Sequence, residues 1–221
     1  SEGVLFERCI STSPWTPSSH ASLFTGAYLS RHKVCHGHLS LRQGIPTLAE
    51  ILRARGYMTV GFSNNPHIGQ TTGLARGFRT FRETWRVSPA RPKSYTKWLR
   101  KRMPGLRLLL KRFRHNLMGQ LGVVNDQGAH ITNVAVMNWL ESYVGEDRPF
   151  FLFINYIEPH LPYCPPSPFD KAFLEGEWRT HYWKVNQDAR KWLSRQVAMT
   201  SDDFSVLQAL YDGSIAYLDR K

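Results

Sequence analysis

Pro46-Thr47-Leu48-Ala49-Glu50-Ile51-Leu52-Arg53-Ala54-Arg55-Gly56 runs directly into Tyr57-Met58-Thr59-Val60-Gly61-Phe62. Leu48, Ile51 and Leu52 recur at helical spacing and Gly56 is a stop signal, so the first piece reads as an amphipathic helix. The second piece is short and apolar and reads as a buried strand. Helix, glycine and strand in quick succession are the returning half of a β-α-β unit, which predicts an α/β sheet.

Working outward, Ile131, Val134, Met137, Leu140 and Tyr143 predict a second helix covering that sheet, ended by Arg148-Pro149. Phe150-Phe151-Leu152-Phe153-Ile154-Asn155-Tyr156-Ile157 follows as a continuous apolar run, expected to be a central parallel strand buried on both faces. Directly after it, Glu158-Pro159-His160-Leu161-Pro162-Tyr163 places a histidine at the carboxyl end of a strand, where open α/β sheets build their sites. Leu207 to Lys221 reads as a closing amphipathic helix.

Upstream, Ser13-Pro14-Trp15-Thr16-Pro17-Ser18-Ser19-His20-Ala21-Ser22-Leu23-Phe24-Thr25-Gly26 predicts a short helix with Thr16 as N-cap, Pro17 as its first residue and Gly26 near its stop. The free first-turn amides and the positive end of the dipole suit an anion such as a sulfate or phosphate ester. A Thr-Pro start is also an ordinary way to begin a helix. Tyr28 to His38 reads as a solvated, histidine-rich loop.

The stretch from Thr16 to Gly26 resembles the sulfatase signature C-x-P-S-R with a closing L-T-G, in its variant T-x-P-S-H-x-S-L-F-T-G. Strand followed by Pro159-His160 and Pro162-Tyr163 resembles a second sulfatase landmark, and Tyr211-Asp212 through Ile215-Ala216-Tyr217-Leu218-Asp219 resembles a third. The resemblance covers residues 3–83 and 126–221. It implies an incomplete alkaline-phosphatase/sulfatase-like sheet sandwiched by helices, with residues 86–118 as a basic helical insertion in a partial catalytic domain spanning 1–221.

In such proteins a nucleophile at a helix N-terminus binds a divalent metal and attacks sulfur or phosphorus in line. The resemblance places Thr16 as nucleophile and metal ligand, His20 as its orienting neighbour in place of the usual Arg, and His160 on the ester or its leaving group. Ser19 and Asn64 stand as substrate-binding residues; Asn64 lies where many sulfatases have a lysine, and a strand-end turn would also account for Ser63-Asn64-Asn65-Pro66-His67. The implied cofactor is a divalent cation, calcium, or zinc or manganese for a phosphoesterase. The family's Asp-Asp and Asp-His or Asp-Asn ligand pairs have no counterpart in the chain, so an internal fragment, inactive on its own, is expected. A threonine is not expected to become formylglycine, and by resemblance to superfamily phosphodiesterases that use an unmodified threonine it suits a phosphoester or phosphonate better than a sulfate ester.

At 221 residues with 42% hydrophobic content the chain is long enough for one globular core. No apolar run approaches the ~18 residues of a membrane span. Cys9, Cys35 and Cys164 show no zinc or redox spacing. The net charge of +12 is concentrated in residues 84–125, whose eleven Lys and Arg face no Asp or Glu. That segment predicts two amphipathic helices split at Pro104-Gly105, with a basic face that is either solvated or in contact with a polyanion. The expected partner is an anionic ester. A catalytically dead domain binding a polyanion such as nucleic acid or an anionic membrane surface, and a transferase of phosphoryl head groups, are the competing functions.

Overall fold

The computed structural model describes Val4, residues 6–87 and residues 126–221. The basic segment expected to be helical over 86–118 lies outside the described residues except for Arg86 and Val87. Two compact units divide the chain, one formed by Ser1–Trp85 with Trp139–Asn155, the other by Arg86–Asn138 with Tyr156–Lys221.

In the first unit the helices α1 (Thr16–Thr25), α2 (Leu29–His32) and α3 (Leu48–Ala54) accompany the strands β1 (Met58–Ser63), β2 (Thr80–Glu83) and β3 (Phe150–Asn155). The strands form a parallel sheet in the order β2-β1-β3, with Val60 opposite Thr80 and Met58 opposite Phe150. The buried centre is therefore β1, not the 150–157 run expected there. Val60 and Phe62 are fully buried, whereas β3 has one partner among the described residues and leaves Phe150 46% exposed. The sequence reading missed β2 because four residues, two of them charged, carry too little apolar pattern to declare a strand.

Alternation along β3 sends successive side chains to opposite faces. Phe151 and Phe153 pack into a cluster with Ala21 and Phe24 of α1, Ala49 of α3, and Ile68, Leu74 and Phe78. The Phe24 and Phe153 rings meet edge to face at 4.8 Å. Phe150, one position out of phase, meets Trp139 and Tyr143 at 5.4 and 5.7 Å. Helices thus cover both faces of the sheet.

A reciprocal capping box starts α3: Thr47 Oγ1 accepts from Glu50 N at 3.1 Å and Glu50 Oε2 accepts from Thr47 N at 2.8 Å. Such a cap is worth about 1 kcal/mol. The expected apolar face of this helix is not the buried one, since Ala49 is 2% exposed while Leu48 and Ile51 are 41% and 39% exposed. Close approach decides this: a Cβ on Gly77 would lie 2.3 Å from Glu50 N, so only a small residue fits at the contact.

The helix α4 (Ala129–Tyr143) spans the boundary of the units, and the second unit adds α5 (Trp178–His181), α6 (Ala189–Leu193) and α7 (Ser201–Asp219). Expected from Leu207, α7 begins six residues earlier because Thr200 and Asp203 form a capping box, Asp203 N donating to Thr200 Oγ1 at 3.2 Å. Leu174, Val185, Val206 and Leu210 make the core of this unit. Gly213 lies inside α7, where a Cβ would stand 2.3 Å from the Phe169 carbonyl oxygen. No helix among the described residues is long and apolar enough to cross a membrane.

Candidate active site

The helix start falls one residue earlier than the sequence suggested. Trp15 is the N-cap, with extended backbone and no capping side chain, so Thr16 is the first helical residue and Pro17 the second. Ser13 Oγ accepts from Trp15 N at 3.3 Å and fixes the entry. Pro17 has no amide proton, which leaves the Thr16 and Ser18 amides as the outward donors of the first turn. Gly26, left-handed at φ 63°, closes the helix by donating to the Ser22 carbonyl.

Thr16 is half-buried, and its Oγ1 has no hydrogen-bond partner among the described residues. Its carbonyl, by contrast, gathers donors. Ser19 Oγ donates to it at 3.1 Å, and His20 Nδ1 lies 2.9 Å away. A carbonyl only accepts, so Nδ1 carries the proton and the neutral ring turns its lone pair to Nε2. Burial lowers the His20 pKa, opposed by the bond to Thr16, and the ring packs edge-on against Phe24 and Phe153. His20 is therefore a neutral strut beside Thr16 and does not supply the fixed charge an arginine would.

Two features of this helix escaped the sequence reading. Ser18, 2% exposed, keeps its hydroxyl buried without a hydrogen-bond partner among the described residues. Ser22 Oγ pairs with His32 Nε2 at 3.0 Å, in place of the solvated loop expected around His32. Val34 N donates to His32 Nδ1 at 3.0 Å, so Nε2 holds the proton and donates it to Ser22. This ring is locked in the tautomer opposite to that of His20, and burial lowers its pKa as well.

Asn64 follows β1, 2% exposed, its backbone N donating to the Asn155 carbonyl at 3.0 Å. The turn behind it is built from side chains: Ser63 Oγ donates to the Asn65 carbonyl at 3.2 Å, and Asn65 Oδ1 accepts from His67 N at 2.9 Å. Asn155 Oδ1 is buried without a hydrogen-bond partner among the described residues at the end of β3, on the strand face that also carries Phe153.

In the second unit, His160 is exposed, with its N donating to the Ile157 carbonyl at 3.1 Å and its Nδ1 donating to the Leu161 carbonyl at 2.7 Å. Its Nε2 is left outward. Glu158 anchors this turn, Oε1 accepting from Ala129 N at 2.6 Å and Oε2 from Ile157 N at 3.0 Å. Burial raises the Glu158 pKa, and the Asp126 charge adds to the rise. Asp126 accepts from Gly128 N at 3.0 Å, His130 N at 2.7 Å and the Tyr217 hydroxyl at 2.7 Å. The donors at the start of α4 are thus already satisfied by carboxylates. Glu158 was quoted in the sequence only as a flank of His160, and Asp126 was hidden behind the basic run.

A divalent ion needs several oxygen or nitrogen donors. Among the described residues no three His, Cys, Asp or Glu converge. Thr16 Oγ1 is one available oxygen donor, and by themselves these residues do not complete a metal site.

The sequence model of the Sulfatase family matches residues 1–220. The fold is similar to the phosphonate monoester hydrolase of Agrobacterium radiobacter, with a TM-score of 0.56 and 19% identity over 95% of this chain and 49% of that one. It is similar also to the phosphonate monoester hydrolase from Silicibacter pomeroyi, with a TM-score of 0.56 and 16% identity over 94% of this chain and 48% of that one. The chain spans about half the length of these structures, and at such identities the likeness is one of fold. No match was found among curated proteins. With the family match spanning nearly the whole chain and the parallel sheet and motif helix in place, the chain belongs to the sulfatase family.

Proposed function

We propose that this chain contributes the nucleophile of a sulfatase-family hydrolase of sulfate or phosphate esters. The observation that carries the reading is Thr16. Its hydroxyl stands in the first turn of α1, at the positive end of the helix and without a hydrogen-bond partner among the described residues, in the stretch that resembles the sulfatase signature.

Thr16 Oγ1 would form the new bond to sulfur or phosphorus as the bond to the leaving alkoxide breaks, and water would later release the anion from Thr16. Ser19 and His20 hold the Thr16 carbonyl and so set the direction of its side chain. Asn64 is the proposed hydrogen-bond donor to the ester. His160 is the proposed proton donor to the leaving group, and with Nδ1 engaged by Leu161 it is Nε2 that would carry that proton. A divalent cation, when bound, would acidify the Thr16 hydroxyl and offset developing charge. The described residues do not complete its site.

The test is Thr16→Ala in the full-length protein, assayed against aryl sulfates, aryl phosphates and phosphonate monoesters. A loss of about 10³-fold or more in kcat with melting temperature unchanged is expected. Unchanged hydrolysis would reject Thr16 as nucleophile.

A further inference from the structure

Beside α2 lies a surface recess of about 560 Å³ lined by Leu29, Ser30, Lys33, Cys35, His38 and Arg42. Its charge is one-sided. Lys33 and Arg42 have no carboxylate partner among the described residues, and no Asp or Glu stands anywhere between Glu7 and Glu50. The recess is also tied to α1. Cys35 and His38 close a tight hairpin, N to carbonyl in both directions at 3.0 and 2.8 Å, and His36 at its tip stacks on Trp15 at 5.7 Å. Trp15 is the cap immediately before Thr16.

A second observation concerns the backbone. Lys33 caps α2 in the left-handed conformation at φ 59°, where glycine is the unstrained residue. A lysine there runs against local preference, and Lys33 is one of the residues lining the recess.

We infer that this recess is an anion subsite, taking a second sulfate or phosphate group of a substrate whose first is the ester at Thr16. Lys33 supplies a mobile point charge, and the Arg42 guanidinium a planar fork suited to tetrahedral oxyanions. The preferred substrate is then an ester carrying two or more such anionic groups. The word substrate rests on the hydrolase reading above; anion binding in the recess does not.

Cys35 is a built-in reporter, partly accessible and part of the lining, with Cys9 and Cys164 as internal controls. The full-length protein is alkylated with iodoacetamide, with and without inorganic sulfate or phosphate, and each cysteine is followed by peptide mass. The anions should slow alkylation of Cys35 several-fold and leave Cys9 and Cys164 unchanged. In the double variant Lys33→Gly, Arg42→Gln the protection should vanish without loss of melting temperature, because glycine relieves the left-handed position. A Cys35 rate insensitive to anions, or protection that survives in the double variant, overturns the site.

Kinetics separate a substrate subsite from an adventitious ion only. The double variant should lower kcat/KM for an aryl ester bearing a second phosphate or sulfate by about tenfold, through KM, and spare the monoanionic ester. Equal effects on both esters, or none, overturn the substrate role. If the wild-type protein turns over no ester at all, the hydrolase reading falls while Cys35 protection still decides whether the recess holds an anion.

Discussion

The two units both bury hydroxyls, but only the second adds buried carboxylates among the described residues. In the first, the buried polar side chains are hydroxyls, amides and one imidazole: Ser18, Ser22, His32, Thr47, Thr59, Ser63, Asn64, Asn65, Thr72 and Thr84. In the second, the hydroxyls of Thr132 and Ser214 are joined by the buried carboxylates Asp126, Glu158 and Asp170, each held by backbone amides or a tyrosine hydroxyl. The difference follows from what each unit presents. On the function proposed above the start of α1 takes a sulfate or phosphate, and fixed negative charge beneath it would oppose that, since like charges in a low-dielectric interior repel strongly. The start of α4 has its donors taken by Asp126 and Glu158, and is closed to an outside anion by the same physics.

The sharpest way to break this contrast is Asp126→Ala. It orphans two backbone amides and the Tyr217 hydroxyl, whose pKa the buried site and the Asp126 bond hold far above the usual tyrosine value. A loss of about 3 kcal/mol is expected, confined to the second unit. Hydrogen exchange should show faster exchange in α7 with β1 unchanged. Exchange rising equally in both would show that the units do not hold their polar networks separately.

His32→Ala is the matching perturbation in the first unit. It leaves the Val34 amide and the Ser22 hydroxyl unpaired and opens a cavity, for about 2 kcal/mol, read as faster exchange in α1 and β1. Ser22→Ala removes one hydrogen bond and should cost about 1 kcal/mol.

The mildest test is pH. His20 and His32 have lowered pKa values, so their contribution is present above the unfolded histidine value of ~6.5 and is lost as pH falls through the lowered folded values. Glu158 has a raised pKa, so its contribution is full below the unfolded carboxylate value of ~4.3 and is lost as pH rises through the folded one. Taking the protein from pH 7 towards pH 5 should therefore lower protection factors, corrected for the intrinsic fall of amide exchange with pH, in the first unit and raise them in the second. Glu158→Gln should abolish only the second response. A fall in both units together would erase the distinction.

Much of the first unit is legible in its sequence because the signals are local. Gly56-Tyr57 joins a capped helix to an apolar strand, and the Thr16 motif carries its own start and stop. The candidate site is legible only as single residues. What ties them together is distant in the chain: Ser22 to His32 across ten positions, Ala129 to Glu158 across 29, Tyr217 to Asp126 across 91. No periodicity reports such pairs. The position of β1 at the sheet centre was likewise unreadable, because an apolar run such as 150–157 says how hydrophobic a strand is and not how many neighbours it has.

The contact between Gly213 and the Phe169 carbonyl also has a consequence for how this chain can vary. A glycine inside a helix costs about 1 kcal/mol relative to alanine, so drift alone would tend to replace it. Every replacement brings a Cβ to 2.3 Å from a backbone oxygen, which cannot swing aside as a side chain could. Position 213 is thus a dead end for mutation, and tolerance on this helix is confined to exposed positions such as Tyr211 and Ile215.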